Sequence, residues 1–265
     1  MLSKVRANDF PFFEPPFAAI AHRGGSLMTD NLAIENTLAA FANSISLGYR
    51  YIETDVHATA DGVLVVFHDD DLARVSGESG KISSLRAKDL KSVRVGGAEP
   101  IPTLDELLDS FPEVRINIDI KMPAAVEPLA ETIKRHSAQK RVCVASFSAS
   151  RLRRFCNLAG PDVATAATPL RVGLSSFMPS TITMKTPSAP VWQMPLTTSF
   201  LGRKITLASH RLVDELHRLG KRIHIWTIDD PQIMHNLIDM GVDGIFTDRP
   251  DVLRKVLLTR GMWYA

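Results

Sequence analysis

Four apolar, strand-like runs in this 265-residue sequence end in residues able to move protons, bind anions or hold a cation. The first, residues 17–22, runs into His22-Arg23-Gly24-Gly25. An imidazole and a guanidinium beside two glycines, which let backbone approach a ligand closely, suit an anion. A capping or packing role for His22 fits the same residues. The second run is Tyr51-Ile52-Glu53-Thr54-Asp55-Val56-His57. Side chains of a strand alternate faces, so Glu53, Asp55 and His57 share one face. Two neighbouring carboxylates repel, and burying them is costly without a partner. A bound cation answers that cost, and so do salt bridges to Arg or Lys. The third run, residues 63–67, leads to His68, and Asp69-Asp70-Asp71 behind it reads as a solvated turn. Two imidazoles at two strand ends would supply a general acid and a general base near neutral pH. The fourth, residues 115–121, places Asn117, Asp119 and Lys121 on one face. Asp119 can be a third oxygen ligand, and Lys121 can meet a phosphate. All-oxygen ligation favours one hard divalent cation, Mg²⁺ or Ca²⁺, over zinc.

Strand-like and helix-like patterns alternate along the chain. After the first strand a helix is expected over 35–47, with Leu38, Phe41, Ala42 and Ile45 on one face. Asp61-Gly62 is a hairpin turn signal between runs 51–57 and 63–68. Residues 69–100 form a long polar excursion. Thr103 and Glu106 form a capping box that opens a helix over 104–110. Strands are expected at 115–120, 142–147, 163–167, 191–194, 222–228 and 244–247. Helices are expected at 125–136, 149–158, 206–219, 231–240 and about 251–259. Repeated β-then-α order implies a parallel sheet, and about eight such units imply a (β/α)₈ TIM barrel spanning 1–265. The alternative, an open doubly wound sheet, lacks its glycine fingerprint after the first strand. In a barrel, strand C-termini carry the chemistry.

A net charge of +2 without a basic run points away from nucleic acid. Cys143 and Cys156 have no metal-type spacing and read as small buried hydrophobes. Three prolines, Asp9 and Glu14 interrupt any N-terminal signal-like segment, and no apolar run is long enough to span a membrane, so the expected compartment is the cytoplasm. Between Arg171 and Arg203 the only charge is Lys185. The stretch 172–202 is either an ordinary connection or an apolar loop over the site mouth, suited to a lipid-like substrate or peripheral membrane contact. His210, His217 and His224 read as structural, Phe12, Phe13 and Phe17 as packing beneath the barrel, and Asp248 as a cap of the last helix.

The ordered series HRGG, IENT, ETDV, TADGVLVVFHDDDL, IPTLDELL, INIDIK, HIWTIDD and GVDGIFTDRPD, within a span from residue 18 to about 253, resembles the glycerophosphodiester phosphodiesterase family. That resemblance implies a PLC-like phosphodiesterase barrel with a small insertion after an early strand, matched here by 69–100. It implies hydrolysis of glycerophosphodiesters to sn-glycerol 3-phosphate and an alcohol. It casts His22 and His68 as the acid–base pair, and Glu53, Asp55 and Asp119 as metal ligands. Arg23 and Lys121 become phosphate contacts, Glu35 orients Arg23 or substrate, and Trp226 walls the glycerol pocket. The sequence departs from the family pattern at Asp119, where a glutamate is usual, at Ile34, where proline is usual, and at Asp229, often asparagine. Two other functions share these residues: a lysophospholipase D or sphingomyelinase D, and a non-catalytic barrel that binds phosphodiesters.

Overall fold

A computed structural model describes residues 5–177, 189–200 and 202–263. Eight parallel strands carry the chain's most apolar runs: β1 Ala18–His22, β2 Tyr51–Ala58, β3 Arg115–Ile120, β4 Val142–Ala145, β5 Ala164–Thr165, β6 Val191–Pro195, β7 Arg222–Trp226 and β8 Gly244–Thr247. Their order is β5-β4-β3-β2-β1-β8-β7-β6, all parallel. A parallel bridge from Ala166 to Val191 joins the two ends, so the sheet is a nearly closed barrel. Such strands need cover on the outer face, which is why they are apolar almost throughout. The cover comes from helices at Leu38–Ser46, Leu104–Ser110, Val126–Arg135, Ala149–Ala159, Pro169–Phe177, His210–Arg218, Pro231–Met240 and Pro250–Thr259. Below the strands, Phe12 and Phe13 pack edge-to-face and join Tyr51, Ile20 and Phe246 in a buried cluster. They seal the barrel floor, as their sequence position suggested.

Local chemistry sets most element boundaries. Thr103 and Glu106 form the expected capping box. Ser148, Ser209 and Asp230 each accept a backbone N–H at a helix start. The first helix begins at Leu38 rather than 35, because Asn36 has φ +59° and Thr37 is the cap. The helix expected from 206 begins at His210, because Arg203–Thr206 pairs antiparallel with Thr197–Phe200. Of the stretch 172–202, the described part is the helix ending at Phe177, β6 and this hairpin; Lys185 lies outside the described residues. Cys143 is buried as expected, whereas Cys156 lies exposed on its helix; both are free thiols. Among the described residues no helix is long and apolar enough to cross a membrane.

Two features outside the parallel strands position the site. The run at 63–68 forms the hairpin that Asp61-Gly62 signalled: Leu64–Val66 returns antiparallel against β2, pairing Val66 with Val56. That reversal carries His68 back down beside the β2 end, where the Phe67 N–H donates to the Asp55 carbonyl. The excursion at 69–100 then builds a small core of its own from Leu72, Ile82, Leu90, Val93 and Val95 against Val65 and Phe67.

Gly24 and Gly25 hold the turn after β1 tight, at φ +84° and +85°. A Cβ on Gly25 would lie 2.4 Å from Pro250 Cγ at the start of the last helix. Gly25→Ala is therefore expected to lower the unfolding free energy by about 2 kcal/mol, through the left-handed backbone and the clash together. A urea unfolding curve that matches the wild-type midpoint would contradict this.

Candidate active site

The C-terminal mouth of the barrel opens into a cavity of about 580 Å³. Strand register decides which charges meet there. His22 pairs with Glu53, Glu53 with Asn117, and Asp55 with Asp119. Successive barrel strands thus set three carboxylates side by side at one end of the cavity. His22, Arg23, His68 and Lys121 line the same end. Trp226 and Phe147 also line the cavity, their rings edge-to-face at 5.9 Å. Glu35, on the loop before the first helix, reaches the site through Arg23, whose Nη1 donates to it at 3.1 Å. Asn36 braces the floor: it donates to Asp55 and accepts from Thr54.

The charges are held by their neighbours. Lys121 Nζ lies 2.8 Å from Asp55 Oδ1 and 2.8 Å from Asp119 Oδ2. Arg23 Nε stands 3.5 Å from Asp55 Oδ2, and the Arg23 N–H donates to Glu53. Burial works against ionising Asp55, but Lys121 and Arg23 outweigh it and hold its carboxyl below the usual range. At Glu53 the balance is reversed: burial, then Asp55, outweigh His22, Arg23 and Lys121 and push it up to about 7, although His22 Nε2 lies 3.8 Å from Glu53 Oε2. Burial likewise raises Asp119, despite Lys121. Asp55 is thus salt-bridged to Lys121 and Arg23, and Asp119 to Lys121, one of the two arrangements that the sequence allowed. Lys121, expected on a phosphate, is engaged by the two aspartates. Among the described residues, no three His, Cys, Asp or Glu side chains converge at metal-holding distance. The donors nevertheless fit a hard cation. They are all oxygens, Glu53 is short of positive charge, and Asp119 Oδ1 is buried with no hydrogen-bond partner.

Each histidine is backed by an aspartate. Asp248 Oδ1 lies 2.8 Å from His22 Nδ1 and also accepts from Ser26. It does not cap the last helix as expected; Arg249 holds the cap position and makes no side-chain cap. Asp229 accepts from Thr247 Oγ1 and from the Asp248 N–H, so its charge faces the end of β8. Asp69 Oδ1 lies 2.6 Å from His68 Nδ1, so it is no solvated turn residue. His57, on the Glu53–Asp55 face, uses Nε2 to hold the His68 carbonyl at 3.0 Å. Burial depresses both imidazoles. For His22, Glu53 and Asp248 overcome it and raise the pKa; for His68, Asp55 and Asp69 do not, and it stays lowered.

Sequence reasoning missed Asp69, Arg74 and Phe147. Arg74, in the short helix Ala73–Ser76 of the insertion, pairs with both Glu35 and Asp69. Phe147 follows β4 and stacks 6.0 Å from Lys121 Nζ. Spacing from His68 offered a weak signal for Asp69, and nothing marked Phe147. Beyond the polar end the cavity turns apolar, along Ala166, Ala167, Pro169, Val172, Pro195 and Leu207.

A profile of the glycerophosphoryl diester phosphodiesterase family matches residues 22–252. The chain belongs to that family. A Mycobacterium tuberculosis protein named probable glycerophosphodiester phosphodiesterase 2 is 40% identical, over 92% of each chain. A human lysophospholipase D is 27% identical over 90% of this chain and 85% of its own. Among solved structures, an Oleispira antarctica phosphodiesterase in complex with the product sn-glycerol-3-phosphate superposes with a TM-score of 0.74 at 23% identity. It covers 91% of this chain and 96% of that one. Family membership makes the chain a phosphodiesterase and bears out both the resemblance and the barrel read from the motifs.

Lys121 is the cation between two buried carboxylates, so removing it leaves Asp119 without its salt bridge and Asp55 held by Arg23 alone. Lys121→Met is expected to cost about 3 kcal/mol of unfolding free energy at neutral pH without added divalent cation. Equal stability of variant and wild type in urea would show that the carboxylates do not depend on the ammonium.

Proposed function

We propose that the chain hydrolyses glycerophosphodiesters to sn-glycerol 3-phosphate and an alcohol, with His22 and His68 as the acid–base pair. One observation carries this reading. Two imidazoles, each with Nδ1 held by an aspartate, line one cavity end beside Arg23. That leaves Nε2 as the nitrogen for a reacting atom, free on His68 of any side-chain partner named above and on His22 3.8 Å from Glu53 Oε2, beyond hydrogen-bond reach. One histidine takes a proton from the attacking hydroxyl, and the other returns a proton to the departing alkoxide. Arg23, turned by Glu35, meets a non-bridging phosphate oxygen. Its Nε is buried and makes no hydrogen bond, standing 3.5 Å from Asp55 Oδ2 in a loose ion pair with which a phosphate oxygen would compete. Lys121 shares that role to the extent that it is released from Asp55 and Asp119. Trp226 and Phe147 form an aromatic wall for the glycerol moiety. Glu53, Asp55 and Asp119 would hold one Mg²⁺ or Ca²⁺, which when bound neutralises charge on the phosphate oxygens.

The test is release of glycerol 3-phosphate from glycerophosphocholine and glycerophosphoethanolamine by metal-stripped protein, with Mg²⁺ and Ca²⁺ restored separately. Turnover is expected on restoration. His22→Ala and His68→Ala are each expected to lose about a thousandfold in kcat with the fold intact. Full activity in either variant removes that residue from the mechanism, and no turnover with either cation removes these substrates.

A second reading is favoured by the apolar arm, which gives a hydrocarbon chain on the alcohol somewhere to lie. In that case lysophosphatidylcholine is the better substrate. A higher kcat/KM on glycerophosphocholine than on lysophosphatidylcholine would dismiss it.

A further inference from the structure

The insertion looks at first like a passenger on the barrel, but it delivers Arg74 to two site carboxylates at once. Arg74 Nη1 donates to Glu35 Oε2 at 2.9 Å and Nη2 donates to Glu35 Oε1 at 2.6 Å. On its other edge Nε donates to Asp69 Oδ2 at 2.6 Å. Both carboxylates are also committed to the site: Glu35 Oε1, already accepting from Arg74 Nη2, accepts from Arg23 Nη1 as well, and the other oxygen of Asp69, Oδ1, sits on His68 Nδ1. The result is one continuous chain, Arg23–Glu35–Arg74–Asp69–His68.

An isolated surface ion pair is worth little. This one differs in three respects. The Glu35 contact is bidentate, a geometry that a guanidinium provides and an ammonium does not. Glu35 and Asp69 are themselves well covered, at 13% and 25% side-chain exposure against 48% for Arg74. The arginine is also anchored rather than free. Its helix opens with the Ala73 N–H donating to Asp71, ends at Gly77 in the left-handed region, and sits on the insertion's own core beside Leu72.

We infer that Arg74 and Asp69 are positioning residues. Arg74 locks Asp69 against His68 Nδ1, so that Nε2 faces the cavity, and locks Glu35 so that Arg23 faces the phosphate. The inference rests on the acid–base role proposed for His68. It predicts a division of labour: the arm through Asp69 acts on kcat, and the arm through Glu35 acts on KM.

The test is steady-state kinetics on glycerophosphocholine for wild type, Asp69→Asn, Arg74→Ala and the double variant. Asp69→Asn is expected to lower kcat about a hundredfold by freeing the wrong imidazole tautomer, and Arg74→Ala about tenfold. In kcat the double variant should match Asp69→Asn; in KM it should match Arg74→Ala. Millimolar guanidinium should restore Arg74→Ala but not Asp69→Asn. Arg74→Lys, which keeps the charge and stem, should lose as much as Arg74→Ala, so misfolding of one variant does not spoil the comparison. Independent kcat effects that multiply, or full activity in Arg74→Lys, would overturn the inference. A readout free of turnover accompanies it: ¹⁵N spectra of histidine-labelled protein, with His68 assigned by its loss in His68→Gln. Wild type should show one tautomer, protonated at Nδ1, and Arg74→Ala a mixture. An unchanged tautomer in Arg74→Ala refutes the positioning role. Full turnover by His68→Gln would instead refute the catalytic reading on which it rests.

Discussion

Everything at the mouth of this barrel answers to one electrostatic constraint. The parallel register of β2 and β3 sets Asp55 against Asp119, with Glu53 one step below. Three carboxylates cannot be taken out of water together unless positive charge comes with them. Lys121 comes two residues after Asp119 on the same face, and Arg23 comes from the neighbouring β1 loop. Even so, Glu53 remains poorly compensated and is driven toward neutrality. A protein that needed only stability would place apolar side chains here, as it does in the layer below. The charge imbalance at Glu53 is what favours the proposed cation on these carboxylates, and Arg23 beside them is the group proposed to meet an anion.

The supports around that cluster follow from the same cost. A buried polar group in a low-dielectric pocket is expensive when unpaired and strong when paired. Asn36 fastens Asp55 to Thr54, Gln193 donates to Asn117 across the barrel, and His57 fixes the backbone of His68. These contacts join different strands and loops. The geometry of the candidate site is thus a property of the closed barrel rather than of any one segment.

The amount of this that was legible in the sequence follows from what a sequence encodes locally. Period-two alternation places Glu53 and Asp55, and Asn117, Asp119 and Lys121, on common faces, and the barrel honours both. Thr103–Glu106 is a local hydrogen-bond pattern and reads directly as a helix start. The antiparallel return of residues 64–66 is local, signalled by Asp61-Gly62, but how His68 is seated beside Asp55 is not, because it depends on the Phe67–Asp55 backbone bond seen only in the fold. Asp248 misread for a similar reason. An aspartate before Arg-Pro at a helix start has the look of a cap, and only ring closure of β8 onto β1 shows it beside His22. Asp69 stood in a run of three aspartates, where nothing in composition distinguishes the one that turns inward. Arg74 and Glu35 lie 39 residues apart, and no periodicity connects them.

The two aspartate–histidine pairs differ in what they demand of folding. His22 and Asp248 are 226 residues apart, so their contact forms only when the last strand closes the barrel. His68 and Asp69 are adjacent, so their contact costs no loop closure, but its geometry is free to vary until something outside fixes it. For the first pair, global closure fixes position and orientation together, because both residues sit at ends of hydrogen-bonded strands. For the second, the backbone alone leaves Asp69 several rotamers, and a single short contact cannot choose among them. That asymmetry explains why the insertion has a core of its own. A rigid platform is needed to hold Arg74 where one guanidinium can fix two carboxylates. The polar excursion after the hairpin therefore does for His68 what closure of the barrel does for His22.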